Sequence, residues 1–310
     1  MKQIRNYSLL AGAVLTLALT SCNNNEMETI PYEGPVAAQV SAGINGVATR
    51  ATDAAWANGD AIGISCGSDD DVTQYDNMKY VTASGNGTFT HYTGNSEDLA
   101  NGIFFQGTEQ VTFSAYYPFT GTEGSPAGEI SGSTEDQTNQ KDFDYLYATG
   151  ATAAYNSPAV SFTDAAIFKH KMTRLILIIK TSTSDGFSAG DVASGAYSIS
   201  GIKHSGKFDT ATGTATATDG TTDNWTITTT GTSEERTCSM ILYPQGGTPS
   251  LTFKATIKDQ TYTATITPAL AASTSYTYTI TVKKSGLTVS SCTIEGWGAE
   301  QTGDGEATMK

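Results

Sequence analysis

A serine between two glycines gives the chain one enzyme-like pattern, Gly63-Ile64-Ser65-Cys66-Gly67. In hydrolases, a Gly-Xaa-Ser-Xaa-Gly sequence turns sharply from a strand into a helix, and an acid and a histidine complete the site. Here Ser68-Asp69-Asp70-Asp71 follows, which is typical of a loop, and only His170 and His204 could serve as partners. We therefore predict that the chain is not an enzyme.

Two further segments could bind phosphate or a metal ion. Residues 201–207 resemble a phosphate-binding loop up to Gly206-Lys207, but Phe208 stands where Ser or Thr would bind magnesium. Asp69, Asp70 and Asp71 carry oxygen ligands, yet calcium takes about six to eight oxygens from one shaped loop. A turn and a solvated acidic loop are the simpler interpretations, and we predict no bound metal and no cofactor.

Three of the four cysteines lie far apart, at Cys66, Cys238 and Cys292, and none belongs to a Cys-Xaa-Xaa-Cys pair. Structural zinc sites need four ligands in close pairs, so a zinc site is not expected. We interpret these three residues as small buried side chains with at most one disulfide.

The composition excludes one class of function and supports another. The 310 residues include 17 Lys and Arg against 31 Asp and Glu, which gives a net charge of -14. Nucleic-acid binding is excluded because it depends on clustered basic residues. Charged residues make up only 15% of the chain, and Thr, Ser and Gly replace them, which suits the surfaces of β-sheets.

The amino terminus is typical of an exported protein. Lys2 and Arg5 precede an apolar stretch at 9–19, and Leu19-Thr20-Ser21-Cys22 resembles the lipid-attachment box of bacterial lipoproteins. We predict a signal peptide at 1–21, a lipid on Cys22 and a polar tether at 22–35, with an ordinary cleaved signal as the alternative.

Alternation of apolar and polar residues dominates the rest of the chain, and residues 251–266 read as a hairpin. Similar strands are predicted at 111–117 and 276–283, and the continuous apolar run at 175–179 predicts a strand buried on both faces. Few segments have a helical period. The pattern predicts an all-β protein made of β-sandwiches, with a domain division near Asp164 that gives domains at 36–164 and 165–310.

A clean alternating strand is predicted at 36–44, and Arg50 follows it closely. Between Cys22 and Lys79 no other basic residue occurs, so an arginine-specific protease would find one target in that region. A solvated loop arginine is the alternative interpretation.

Several short motifs occur in a consistent order and resemble the fimbrillin-like (Mfa-like) family of Bacteroidetes surface proteins. They begin at Arg50-Ala51-Thr52 and end with the block at 276–297, so the resemblance spans essentially the whole mature chain. Between these two lie Trp56-Ala57-Asn58-Gly59-Asp60, Phe113-Ser114-Ala115-Tyr116-Tyr117-Pro118, Asp144-Tyr145-Leu146-Tyr147-Ala148, Phe168-Lys169-His170-Lys171-Met172 and Met240-Ile241-Leu242-Tyr243-Pro244-Gln245.

The resemblance implies a fimbrial subunit with two transthyretin-like β-sandwich domains in tandem, exported as an outer-membrane lipoprotein. It implies cleavage between Arg50 and Ala51 and loss of the strand at 36–44, whose apolar positions are Val36, Ala38, Val40, Ala42 and Ile44. A donor segment within 287–310 of a neighbouring subunit would then fill the groove, and its strand-like apolar residues are Leu287, Val289 and Ile294. Other fimbrial subunits, the lipid anchor and a surface ligand are the implied partners.

A second interpretation is a tip adhesin or a glycan-binding surface lipoprotein that does not form the stalk. Such a protein would use aromatic loop residues, for which Trp56, Tyr92 and Trp225 are the candidates. Asp209-Thr210-Ala211 also resembles a short O-glycosylation motif.

Overall fold

The structure is a computed structural model that describes residues 34–45, 55–69, 71–93, 96–97, 102–182, 184, 186–218 and 220–297. The protein is 54% strand and 5% helix, so the predicted all-β class is confirmed. One short α-helix, α1 (Ala189–Ala193), starts at a capping box of Ser188 and Asp191. Among the described residues, no helix has the length and apolar character needed to cross a membrane.

The first half of the chain forms a nine-stranded sheet. A small two-stranded ladder beside it pairs β1 (Val36–Ala37) with β7 (Phe104–Phe105). In spatial order, the large sheet contains β11 (Ala159–Phe162), β2 (Gln39–Ala42), β5 (Thr88–Thr93), β4 (Gln74–Val81), β3 (Ala61–Ser68), β8 (Val111–Tyr117), β10 (Leu146–Ala153) and β12 (Lys169–His170), with β6 (Ser96–Glu97) paired to β5.

The second half forms a five-stranded and a four-stranded sheet. The first contains β18 (Thr230–Gly231), β19 (Glu235–Leu242), β13 (Thr173–Thr181), β22 (Thr274–Lys283) and β23 (Gly286–Gly296). The second contains β17 (Trp225–Thr226), β14 (Ala196–Ser200), β20 (Leu251–Ile257) and β21 (Gln260–Ile266). The predicted hairpin is confirmed as β20 and β21, which join through Lys258 and Asp259 at φ 49° and 63°.

A three-stranded sheet joins the two halves through β9 (Glu129–Ser133), β15 (Ser205–Asp209) and β16 (Thr214–Ala217). Gly206, part of the segment that resembles a phosphate loop, lies in β15. A Cβ at Gly206 would come within 2.3 Å of the Tyr243 ring. This glycine is therefore needed for close packing against an aromatic ring. The turn interpretation of residues 201–207 is corrected, because Gly206 and Lys207 lie within a strand.

Buried apolar side chains form three clusters. The first runs from Ala38 to Phe168, and the second runs from Leu175 to Cys292. The third draws on both halves and is mostly aromatic, with Tyr116, Phe143, Tyr145, Tyr147, Met172, Phe208, Ala215, Ile241, Tyr243 and Trp297. The domain division near Asp164 stays a prediction.

Two predicted strands differ in detail from the structure. Residues 175–179 lie in β13, but Ile176 and Ile178 are only half-buried, because one face of this central strand is not fully covered. The predicted continuous strand at 36–44 divides at Ala38, whose N–H donates to the Ile103 carbonyl oxygen over 2.9 Å. Alternation alone did not reveal that β1 and β2 pair in different sheets.

Candidate functional site

Strand β2 lies inside the nine-stranded sheet, between β11 and β5. It runs parallel to β11, with Gln39 opposite Ala159, and antiparallel to β5, with Val40 opposite Phe89. A strand in such a position uses the backbone groups on both of its edges. Removing it would leave two neighbouring strands with unpaired N–H and C=O groups, which is a template for another strand.

Small side chains face the core from β2. Ala38, Val40 and Ala42 are buried, while the alternating Gln39 and Ser41 are exposed. Full burial of a Val side chain contributes roughly 1.5–3 kcal/mol, and Ala contributes less. Main-chain hydrogen bonds therefore account for much of what holds β2, and these bonds do not depend on side-chain identity.

Trp56 and Gly87 hold the carboxyl end of β2. The indole N–H of Trp56 donates to the Ala42 carbonyl oxygen over 2.8 Å, and the Ala42 N–H donates to the Gly87 carbonyl oxygen over 2.8 Å. The Trp56 ring packs edge-on against Phe89, Tyr117 and Phe168, with centroids 5.1–5.6 Å apart. Trp56 is thus a buried anchor of β2.

The residues after β2 pair with the segment that enters β12. The Phe168 N–H donates to the Gly43 carbonyl oxygen over 3.2 Å, and the Asn45 N–H donates to the Phe168 carbonyl oxygen over 2.8 Å. Ile44 forms an isolated parallel bridge with Phe168. The main chain of Phe168 is therefore bonded on both sides to residues 43–45.

The three candidate donor residues all lie in β23, the edge strand beside β22. Leu287 and Val289 are half-buried and pack against the second core, whereas the side chain of Ile294 is 44% exposed. Cys292 of the same strand is buried. In the monomer, β23 therefore completes the second core along one edge.

The remaining candidate residues fall into two groups. Cys22, Arg50 and Ala51 lie outside the described residues. Trp56 and Trp225 are buried, so neither presents an exposed aromatic platform. Tyr92 is half-buried, with the Lys79 Nζ atom 4.8 Å from its ring centroid.

The serine pattern lies within β3 and has no helix after it. The Ser65 hydroxyl accepts the Asn77 N–H over 3.0 Å, and burial raises the pKa of the adjacent Cys66 thiol to about 12. Burial also lowers the pKa of His204. Within the described part of the chain, no three His, Cys, Asp or Glu side chains are grouped to hold a metal ion.

Sequence reasoning missed the part that Gly87 and Trp297 play. Gly87 has a φ of 82°, and a Cβ there would lie 2.6 Å from the Ala42 carbonyl oxygen. Its place in Gly85-Asn86-Gly87 signals a turn, but the sequence does not show that the turn touches β2. Trp297 packs against His170 across a long sequence separation, which no local pattern signals.

These features define an all-β protein of several sheets, with one small-residue strand inserted between two others. The model of a family described as fimbrillin-like matches residues 49–297. A Bacteroides uniformis protein named "Putative fimbrium subunit Fim1C" is 31% identical over 98% of this chain and 100% of its own length. The chain therefore belongs to the fimbrillin-like family.

Two solved structures share this fold. One, described as a "putative cell adhesion protein" from Bacteroides ovatus, is 27% identical with a TM-score of 0.69. Another with the same description, from Bacteroides uniformis, is 28% identical with a TM-score of 0.66. In both comparisons the match covers 86% of this chain and 99% of the other chain.

Proposed function

We propose that this chain is a structural, non-enzymatic subunit of a bacterial surface fimbria that polymerises by protease-triggered donor-strand exchange. Cleavage after Arg50 would release residues 36–44, and a segment within 287–310 of a neighbouring subunit would replace β2. Family membership and the relative named as a fimbrium subunit support the assembly role. The internal position of β2 is the observation that carries the mechanism.

The groove left by β2 would select an incoming strand by its chain direction and by the size of its side chains. The incoming strand must run parallel to β11 and antiparallel to β5 to pair with both. Small side chains must occupy the places of Ala38 and Ala42, which are buried in the same core as Trp56, Phe89 and Phe162. Main-chain pairing supplies affinity for many sequences, and the pockets supply the selection.

Repeated exchange between subunits gives a filament because the acceptor groove and the donor segment are different surfaces of one chain. Such a head-to-tail contact does not close on itself. The proposal includes two tandem transthyretin-like domains divided near Asp164, and export to the outer membrane with a lipid on Cys22. Before cleavage the lipid would anchor the precursor, and afterwards the subunit would belong to the fimbria.

The experiment is cleavage of the purified precursor with an arginine-specific protease, followed by a denaturing gel of unboiled samples. A ladder of oligomers is expected for the natural chain and is lost in Arg50→Ala. Arg236→Lys is the matched control, because it removes another arginine and leaves Arg50 in place. A single trimmed band without oligomers contradicts the polymerisation mechanism and favours the tip adhesin.

The lipid is tested separately by growing cells with a tagged fatty acid. The tag is expected on the natural precursor and absent from Cys22→Ala. Cys66→Ala serves as the control, since Cys66 is buried in the first core. Equal labelling of the natural chain and Cys22→Ala contradicts the lipid anchor.

A further inference from the structure

We propose that residues 168–170 couple the two segments that take part in strand exchange. While residues 43–45 are in place, His170 holds Trp297 at the end of β23, and loss of residues 43–45 releases Trp297. This inference rests on the proposed function and adds an order of events to it. A subunit would free its own carboxyl-terminal segment only after its acceptor groove opens.

The first step is the dependence of Phe168 on residues 43–45. Its N–H and C=O bond to Gly43 and Asn45, and Ile44 lies opposite it. Cleavage after Arg50 and loss of the preceding strand would remove both of these main-chain bonds at once. The Phe168 ring would keep its contacts with Trp56 and Phe162. The main chain that leads into β12 would therefore loosen while the ring stays buried.

The second step is the weak support of β12 itself. This strand has two residues, lies at the edge of the large sheet and, in the described part of the chain, has Leu146 and Tyr147 of β10 as its strand partners. Such a short edge strand depends on the residues that flank it. The flank on the carboxyl side is held by Lys171, whose N–H donates to the Tyr145 carbonyl oxygen over 2.9 Å. The flank on the amino side is Phe168.

The third step joins β12 to the carboxyl terminus. His170 is buried, and its Nδ1 atom lies 2.9 Å from Asp144 Oδ1. Its ring is stacked on the Trp297 ring with centroids 4.1 Å apart and an interplanar angle of 8°. The His170 carbonyl oxygen also accepts the Ser273 hydroxyl, and the Trp297 N–H donates to the Ser273 carbonyl oxygen over 2.7 Å.

The fourth step concerns what holds the Trp297 side chain, which is buried in the third cluster. The guanidinium of Arg174 lies 5.1 Å from its ring centroid, which is a cation–π distance. Within the part of the chain that the structure describes, the buried indole N–H has no hydrogen-bond partner. A buried donor without an acceptor is unfavourable, so the docked position depends on packing in the third cluster and on the two ring contacts with His170 and Arg174. A small shift of His170 is enough to weaken one of them.

A cavity gives these residues room to move. It has a volume of about 190 Å³, and its lining includes Asp144, His170, Ile44 and Trp56. The residue that would leave with the first strand thus shares a cavity with the pair that positions Trp297. Loss of Ile44 would remove part of the lining of this cavity, and the side chains of Asp144 and His170 could then shift into the cavity. His170 is a positioning residue in this scheme.

The test measures hydrogen exchange of residues 293–297 in the full-length precursor. Cleavage with an arginine-specific protease is expected to speed exchange there by about tenfold or more, while β20 stays protected. Asn45→Pro tests the same link without cleavage, since it removes the N–H that bonds to Phe168, and it is expected to speed exchange at 293–297. His170→Ala is expected to do the same.

Matched variants separate the coupling from general loss of stability. Trp297→Phe keeps a ring on His170 and is expected to keep exchange slow, whereas Trp297→Ala speeds it. His91→Ala is the control for His170→Ala, because His91 is also buried beside a carboxylate, Glu123. Faster exchange at 293–297 in His91→Ala, equal to that in His170→Ala, overturns the specific role of His170.

The outcomes distinguish this inference from the proposed function. An oligomer ladder with unchanged exchange at 293–297 overturns the coupling and leaves polymerisation standing. Faster exchange without a ladder supports the coupling and contradicts polymerisation. Unchanged exchange in intact Asn45→Pro overturns the coupling whether or not the protease cuts.

Discussion

The indole N–H of Trp56 donates to the carbonyl oxygen of Ala42 over 2.8 Å, so a residue that follows Arg50 in the chain holds a strand that precedes it. Cleavage after Arg50 would place these two partners on different fragments. Trp56 would remain with the body of the protein, and its N–H would lose the acceptor that satisfies it. The same bond that stabilises the precursor therefore makes the emptied groove a better acceptor for a new strand.

Replacing this indole with a ring that lacks the N–H should weaken β2. Trp56→Phe is expected to lower the free energy of unfolding by about 1–3 kcal/mol, because one hydrogen bond and part of a buried ring are lost. Exchange at residues 39–42 should become faster, which mass spectrometry would detect. The control is Trp225→Phe, which removes an N–H that bonds to the Glu135 carbonyl oxygen over 3.1 Å. Faster exchange at 39–42 in the control would contradict the specific role of Trp56.

A glycine at position 87 allows the turn to approach β2. Gly87→Ala is expected to be more destabilising than Gly59→Ala by about 1–3 kcal/mol in urea unfolding, since overpacking adds to backbone strain. The two residues have similar φ angles, 82° and 87°, but a Cβ at Gly59 would meet no atom within 4 Å. Their difference therefore isolates the close contact with Ala42. Equal losses for the two variants would show that φ alone decides the cost.

Sequence patterns located several of the longer strands and one hairpin, but not the pairing of strands that are distant in the chain. The alternation in β8, β20, β21 and β22 follows from having one face more deeply buried than the other, which is a local property. The split of residues 36–44 between β1 and β2 depends on Ile103, which lies far away in the chain. Pairing across such distances leaves no local signal, so the prediction of one continuous strand was incomplete.

The sequence predicts those features of the candidate site that depend on position along the chain. It does not predict those that depend on packing between distant residues. The sequence isolates Arg50 as a basic residue and places an alternating strand before it. It also marks Trp56 as an aromatic residue near that arginine. It does not show that Trp56 is buried against Phe89, Tyr117 and Phe168, which decides between an anchor and an exposed platform.

The buried thiols predict how stability depends on alkaline pH. Burial raises the pKa of Cys66 and of Cys238 from 9.0 to about 12. A raised pKa in the folded state means that the stabilisation is complete below pH 9 and is lost as the pH rises toward 12. Each thiol should therefore cost about 1 kcal/mol of unfolding free energy between pH 9 and 10.

Urea unfolding at pH 8, 9 and 10 measures this slope. Cys238→Ala is expected to reduce the loss between pH 9 and 10 by about 1 kcal/mol, and Cys66→Ala should act in the same direction. Below pH 8 the two thiols should contribute no pH dependence, because neither folded nor unfolded thiols ionise appreciably there. An unchanged slope in both variants would assign the pH dependence to other groups.

A glutamine from the first half of the chain caps the part of the β19 edge that the two-residue strand β18 does not cover. Gln137 donates to the Ile241 carbonyl oxygen over 2.9 Å and accepts the Ile241 N–H over 2.9 Å, as a neighbouring strand would. Gln140 adds a bond to the Ser239 carbonyl oxygen over 2.7 Å. Gln137→Ala would leave two backbone groups of β19 without partners. The free energy of unfolding is expected to fall by about 1–3 kcal/mol.

Gln106→Ala is the control, because among the described residues its side-chain amide makes one exposed hydrogen bond, to the Tyr75 hydroxyl over 3.3 Å, and its loss should cost less than about 0.5 kcal/mol. Hydrogen exchange of residues 239–241 should become faster in Gln137→Ala and stay unchanged in the control. An edge with open N–H and C=O groups also invites pairing with another chain. Light scattering should therefore show more self-association for Gln137→Ala, and a monomer with natural exchange at 239–241 would contradict the capping role.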